Sequence, residues 1–328
     1  MAYRIFVFPL IKAISWLPFP LLYLLSDFLY LVLYKLVGYR KEVIRTNLRN
    51  AFPDKDEKWL RQTEKVFYKH LTDLILETFK GLSISEEILK LRLKNVSQHL
   101  YDEANEEKRS SIIIMSHMCN WEWVCMAAQA YAKQKAQCIY KPLRNKAFEE
   151  LTQGIRRKFG TDPIPMEQTL RVMAGQKDIV TATAFMGDQN PSNGKNAYWT
   201  TFLNQDTAFM WGTEKIARKF NYEVWYMQVK KVKRGFYEAE TRLICKNPAE
   251  TAEGEITELL ARETEKDILV SRHTGFGVTG AGNTNEQNEE DWGAFDFSVV
   301  CKPAFVFSNQ LDFKTWQPAA LPQKPVKQ

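Results

Sequence analysis

The residues best suited to chemistry lie in one short stretch, "SIIIMSHMCNWEWVCMAAQAY". Ile112, Ile113 and Ile114 form an apolar run that reads as a buried strand, and the segment from Trp121 reads as a helix. His117 therefore stands where a strand gives way to a helix. Asn120 is placed to cap that helix, and Glu122 falls in its first turn. A neutral histidine near a hydroxyl can act as general base, and a nearby carboxylate can fix its tautomer and stabilise the imidazolium. No serine or cysteine nucleophile is required if the substrate supplies the hydroxyl. Spacing alone leaves a structural histidine equally open. A zinc peptidase is disfavoured because HExxH is absent, and no metal site is expected. Of the other histidines, His70 lies in a helical stretch with nothing polar arranged around it, and His273 falls in an atypical tail.

These groups need elements to hold them. From Lys41 to Leu82 apolar residues recur at three- and four-residue spacing, which predicts two helices broken at Pro53-Asp54. From residue 111 the period changes. "SIIIM", "AQCIYK", "DIVTATAF", "EVWYMQV" and "FYEAETRLI" read as strands, and the segments between several of them read as helices. This alternation predicts an α/β fold with a mixed, largely parallel sheet covered by helices. An N-terminal membrane helix and a short helical region precede it. In such sheets functional groups gather at strand ends, where both His117 and the Asp188-Gln189 pair lie.

The N-terminus is strongly apolar. Ala13 to Tyr34 contains one formal charge, Asp27, and is long enough to cross a bilayer, with Pro18 and Pro20 leaving a tilted or half-inserted helix open. Lys35, Arg40, Lys41 and Arg45 follow, so the positive-inside rule puts the rest of the chain in the cytoplasm. Trp16, Tyr23, Phe28, Tyr30 and Tyr34 suit either a membrane interface or packing against the following domain. Five cysteines without CxxC spacing argue against a disulfide framework. A net charge of +6 suits phospholipid or an acidic carrier better than a DNA duplex. Seven cations face two carboxylates between Glu214 and Arg234, a run that could draw anionic lipid or such a carrier.

The block "SHMCNWEW" resembles the His-x4-Asp/Glu block of the lysophospholipid acyltransferase superfamily. Its Asn-Trp-Glu is most similar to that of the lipid A late acyltransferases, whose usual form has Phe-Gly at Met118-Cys119. "RTNLRNAFPD", "YKPLRNKAFEEL", "GIRRKFG" and "MGDQNPSNGKNAYWTTFLNQDTAFMWGTEKIARKF" resemble further blocks of that family in the same order. The family usually has Arg at Lys141 and Phe-Phe-Gly at Phe202-Leu203-Asn204. The resemblance implies transfer of a fatty acyl group from acyl carrier protein to a hydroxyl of a lipid A precursor, at the cytoplasmic side of the inner membrane. It implies no cofactor and no nucleic acid. On this reading His117 takes the acceptor's proton and Glu122 orients it. Lys141, Arg144, Arg156, Arg157, Asp188 and Gln189 would bind substrate or support the site, although a solvated helix face or turn chemistry accounts for several of them as well. A same-fold acyltransferase acting on a lysophospholipid or amino-acid lipid, and a catalytically dead membrane-tethered binding protein, are the alternatives.

The expected division is an anchor helix over residues 1–40, an acyltransferase domain over 41–269 and an atypical tail over 270–328. After Leu269 periodicity vanishes, and the Trp-rich C-terminal segment usual in the family is missing. Codons for Ser271 to Thr284 can be chosen that, read in a shifted frame, encode PAYWLWSHRRWKH, which resembles that segment. This reads as a frameshift near Val270, with an out-of-frame, poorly packed tail.

Overall fold

The computed structural model describes residues 6–188, 191 and 197–273. Residues 274–328, and with them almost all of the segment read as out of frame, lie outside the described residues.

The N-terminal apolar run is not one helix from Ala13 to Tyr34. It divides into α1 (Phe8–Trp16) and α2 (Phe19–Leu31), and α2 continues through a wider π-helical stretch, Val32–Val37. The ring of Pro18 excludes the α conformation from Leu17, which is extended at φ −55°, ψ 136°. Pro20 sits in the first turn of α2, where a missing N–H costs nothing. Phe19–Val37 remains long and apolar enough to cross a membrane.

These helices lie against α4 (Glu57–Lys80), which follows α3 (Lys41–Ala51). Ser26 Oγ donates to Asp73 Oδ1 at 2.7 Å. Arg234 bridges Asp27 and Asp73 at 2.7 and 2.6 Å. Lys80 Nζ donates to the Ser15 and Leu17 carbonyls at 2.8 and 2.9 Å. Helical periodicity then splits the apolar residues of α2. Leu22 is buried, and Tyr30 and Tyr34 pack inward, whereas Leu21, Leu24, Phe28 and Leu31 form an exposed stripe, joined by Trp16 of α1. Of the aromatic residues, Tyr23, Tyr30 and Tyr34 thus pack against the following domain, while Trp16 and Phe28 are exposed.

The main sheet has seven strands in the order β1-β9-β8-β2-β5-β3-β4. They are β1 (Leu93–Asn95), β2 (Ser111–Met115), β3 (Lys135–Tyr140), β4 (Asp162–Pro165), β5 (Thr181–Met186), β8 (Glu223–Lys233) and β9 (Phe236–Cys245). All neighbours run parallel except β8 and β9. The mixed, largely parallel sheet expected from the sequence is therefore present. Both of its faces are covered, so β2 is an unbroken apolar run. The later helices are α5 (Glu86–Arg92), α6 (Gln98–Glu106), α7 (Trp121–Tyr131), α8 (Lys146–Arg157), α9 (Thr169–Ala174), α10 (Gly212–Phe220) and α11 (Glu255–His273). Ile112 and Ile114 join a core with α3, α4 and α11, and Ile113 and Met115 join another with α7 and α8. Strands β1 and β4 were too short to read from periodicity. The aromatic block after Gly194 contains a separate hairpin, β6 (Ala197–Phe202) and β7 (Gln205–Met210).

Folding sets four of the seven cations of the basic run against carboxylates. Arg234 and Lys231 pair with Asp73, Lys230 with Glu240, and Arg218 lies near Glu253. His70, which the sequence set in a helix with nothing polar arranged around it, is buried beside Lys231; burial, and then the Lys231 charge, hold its imidazole well below the ordinary range.

Candidate active site

Strands β2 and β5 are parallel neighbours, and their register sets Met115 opposite Met186. Continuing both chains by two residues brings His117 level with Asp188. The Gly187 N–H donates to the Met115 carbonyl at 2.9 Å, extending the ladder past the last paired residues. A side chain at Gly187 would meet Leu260 Cδ2 at 2.5 Å and Ile114 Cγ2 at 2.7 Å, so only glycine lets β5 exit between β2 and α11.

Asp188 grips His117 twice. Its Oδ2 accepts the His117 backbone N–H at 2.9 Å, and its Oδ1 lies 2.7 Å from Nδ1. The carboxylate is buried and the imidazole nearly so. A carboxylate can only accept, so Nδ1 carries the proton, and in the neutral ring Nε2 is then the basic nitrogen. The Trp121 ring stands edge-on to the imidazole at 5.2 Å.

Glu122 does something else. Its two oxygens accept from Arg156 Nη2 at 2.6 Å and Nε at 3.0 Å, a side-on pair with both side chains largely buried. Burial by itself disfavours the Arg156 charge, but the attraction and hydrogen bonds of Glu122 outweigh it and raise the guanidinium above its ordinary range. The Tyr140 ring lies 5.8 Å from the guanidinium carbon. The carboxylate in contact with His117 Nδ1 is therefore that of Asp188, while Glu122, expected there, is paired with Arg156. The physical reason is register: Asp188 comes from an adjacent strand end, whereas Glu122, on the first turn of α7, meets Arg156 on α8.

The remaining expected residues divide. Lys141 and Arg144 follow β3, at the same C-terminal edge of the sheet, and are exposed. Arg157 is exposed beside the buried Arg156. Gln189 lies outside the described residues. Among the described residues no group of three or more His, Cys, Asp or Glu could hold a metal ion.

Asn120 caps α7 as expected, its Oδ1 accepting the Trp123 N–H at 3.0 Å. Its amide nitrogen then donates to Glu77 Oε2 at 2.7 Å. Glu77 was not singled out in the sequence, where it is one of several carboxylates on α4.

The sequence profile of the bacterial lipid A biosynthesis acyltransferase family matches residues 2–271. The chain belongs to this family. No curated protein sequence matches it. Membership makes the protein an acyltransferase of lipid A biosynthesis, with an acyl donor and a lipid acceptor. Two departures of the acyltransferase from the usual pattern fall where the backbone is left-handed. Asn204, at φ 61°, stands at a usual glycine, and asparagine tolerates this region. It follows Leu203 at φ 48°, forming the two-residue turn of the β6–β7 hairpin. Cys119, at φ 49°, replaces the other glycine in the loop after His117. A buried cysteine there costs on the order of 1–2 kcal/mol of backbone strain.

Proposed function

We propose that the acyltransferase moves a fatty acyl chain from acyl carrier protein to a hydroxyl of a lipid A precursor, with His117 as general base and Asp188 as its orienter. The observation that supports this most is the 2.7 Å contact between His117 Nδ1 and Asp188, which makes Nε2 the basic nitrogen of the neutral ring. In the reaction Nε2 removes the acceptor's hydroxyl proton, and the oxygen attacks the thioester carbonyl carbon. The carbon–sulfur bond then breaks, and the imidazolium returns its proton to the departing thiolate. Asp188 stabilises the imidazolium between these steps. The Glu122–Arg156 pair supports the start of α7 and the end of α8 beside this centre. The work takes place at the cytoplasmic face of the inner membrane, where Lys35, Arg40, Lys41 and Arg45 favour the cytoplasmic side. Mass spectrometry of total lipids from cells with and without the gene tests the acceptor. The expected result is a lipid A species lighter by one acyl chain in its absence. A change confined to phospholipids or amino-acid lipids would identify the alternative acceptor.

We propose that the acyl chain threads between the sheet and α7, widening the space already there. A small apolar cavity of about 50 Å³ lies between the sheet and α7. Its lining includes Met115, Val124, Ala127, Ala182 and Ala184. Met115 is two residues before His117, so the cavity adjoins the strand that carries the base. Alanines leave the room that larger side chains would fill. Ala182→Leu is expected to shift the transferred chain toward shorter lengths, read as the ratio of products from donors of graded length. An unchanged chain-length profile would place the acyl tail elsewhere.

A further inference from the structure

The Glu77 side chain is completely buried and takes hydrogen bonds from three separate elements. Tyr23 Oη, on the apolar helix α2, donates to Oε1 at 2.8 Å. Asn120 Nδ2, from the loop after His117, donates to Oε2 at 2.7 Å. Tyr237 Oη, on β9, donates to Oε2 at 2.7 Å. The backbone carbonyl of the same residue accepts Trp123 Nε1 at 2.9 Å. One residue of α4 therefore holds both the cap and the first-turn indole of α7. Trp123 is itself fully buried, edge-on to Phe19 and Tyr237.

This carboxyl is held at a cost. Burial, and then the Asp73 charge one turn earlier, push it up to about 7. An apolar side chain would avoid that desolvation but would leave Asn120, Tyr237 and Tyr23 without their acceptor. The side of Tyr23 is equally confined. A Cβ on Gly235, at φ 73°, would collide with the Tyr23 hydroxyl at 1.8 Å, and Arg92 donates to the Gly235 carbonyl at 3.1 Å. Tyr23 thus has one seat, reached only when α2 is docked on α4.

We propose that Glu77 is a positioning residue that holds the His117 loop through Asn120 and, through Tyr23, makes the loop's geometry depend on docking of the membrane-directed helix α2. The proposal rests on the reading of His117 as base. It gives the enzyme a physical link between anchorage and turnover: undocking α2 removes a hydrogen bond from the carboxylate that fixes the catalytic loop.

The test uses the full chain in detergent micelles, with Glu77→Leu, Glu77→Gln, Tyr23→Phe, Asn120→Ala and His117→Ala assayed together. Displacement of a catalytic group by about 1 Å can cost about 10²-fold. Glu77→Leu should therefore lower kcat by roughly 10- to 100-fold with the KM for the acyl donor nearly unchanged. Glu77→Gln should keep most of the activity, because its carbonyl oxygen can still accept from Asn120 and Tyr237 and its amide can donate to the Tyr23 oxygen. Tyr23→Phe should show a smaller loss, again in kcat alone. Asn120→Ala combined with Glu77→Leu should be no worse than the more severe single change, as expected for groups that act as a unit. A folded Glu77→Leu enzyme with normal kcat, a loss carried by KM, or full additivity with Asn120→Ala would overturn the proposal. If Glu77→Leu does not fold, Tyr23→Phe decides: a kcat equal to that of the parent overturns it. Normal turnover by His117→Ala would instead overturn the base assignment on which it rests.

Discussion

Asp188→Asn is expected to lower kcat by about 10²–10⁴-fold while changing the KM for the acyl donor little. Asparagine fits the same space, but its amide can donate to Nδ1. That favours the tautomer with the proton on Nε2, which cannot act as base, and it removes the charge that stabilises the imidazolium. His117→Ala should fall by a similar amount, and the double variant should fall no further, because the two residues act as one device. Glu122→Gln is expected to be milder in kcat, since the Glu122 carboxylate is engaged by Arg156 and Asp188 holds Nδ1. Steady-state rates on detergent-solubilised enzyme check all four variants. Near-normal turnover by Asp188→Asn, with a severe loss in Glu122→Gln, would return the orienting role to Glu122.

The second large effect concerns stability. Arg156→Met should destabilise the protein by roughly 3–5 kcal/mol, because it strands the Glu122 charge in a largely buried position. Methionine replaces much of the aliphatic stem, so the loss comes chiefly from the unpaired carboxylate. The double change Arg156→Met with Glu122→Gln should recover most of that loss by removing the stranded charge. Arg157→Met, one residue on and exposed, should stay within about 0.5 kcal/mol. Denaturant unfolding followed by far-UV circular dichroism separates these cases. Equal midpoints for Arg156→Met and Arg157→Met would show that the pair contributes nothing to the fold.

The sequence by itself determined the class of the fold, because local periodicity reports on local geometry. An unbroken run such as Ser111–Met115 signals a strand buried on both faces, and the alternation of strands with helices implies a covered, largely parallel sheet. It also picked out His117, the base we propose. His117 is recognisable because a strand, a cap and a helix start lie within one short stretch, and the family match spans that stretch. Proline chemistry was legible only in part: Pro18 and Pro20 left the tilt of one helix open, but the sequence did not say that the run would break into α1 and α2 or that both would lie along α4.

Only the tertiary structure decided which carboxylate meets His117. Asp188 lies 71 residues away in sequence, and it reaches the ring because β2 and β5 pair in one particular register. A shift of one residue would turn it to the other face of the sheet. Glu122 is near in sequence but is taken by Arg156 from α8, a contact that no spacing rule encodes. The same holds for the cations from Glu214 to Arg234, which read as a free basic run until folding set several of them against Asp27, Asp73 and Glu240. Glu77 carried no signal at all among the charges of α4. Its importance exists only where α2, α4, β9 and the catalytic loop converge, because hydrogen bonds between distant elements depend on their packing and leave no period in the chain.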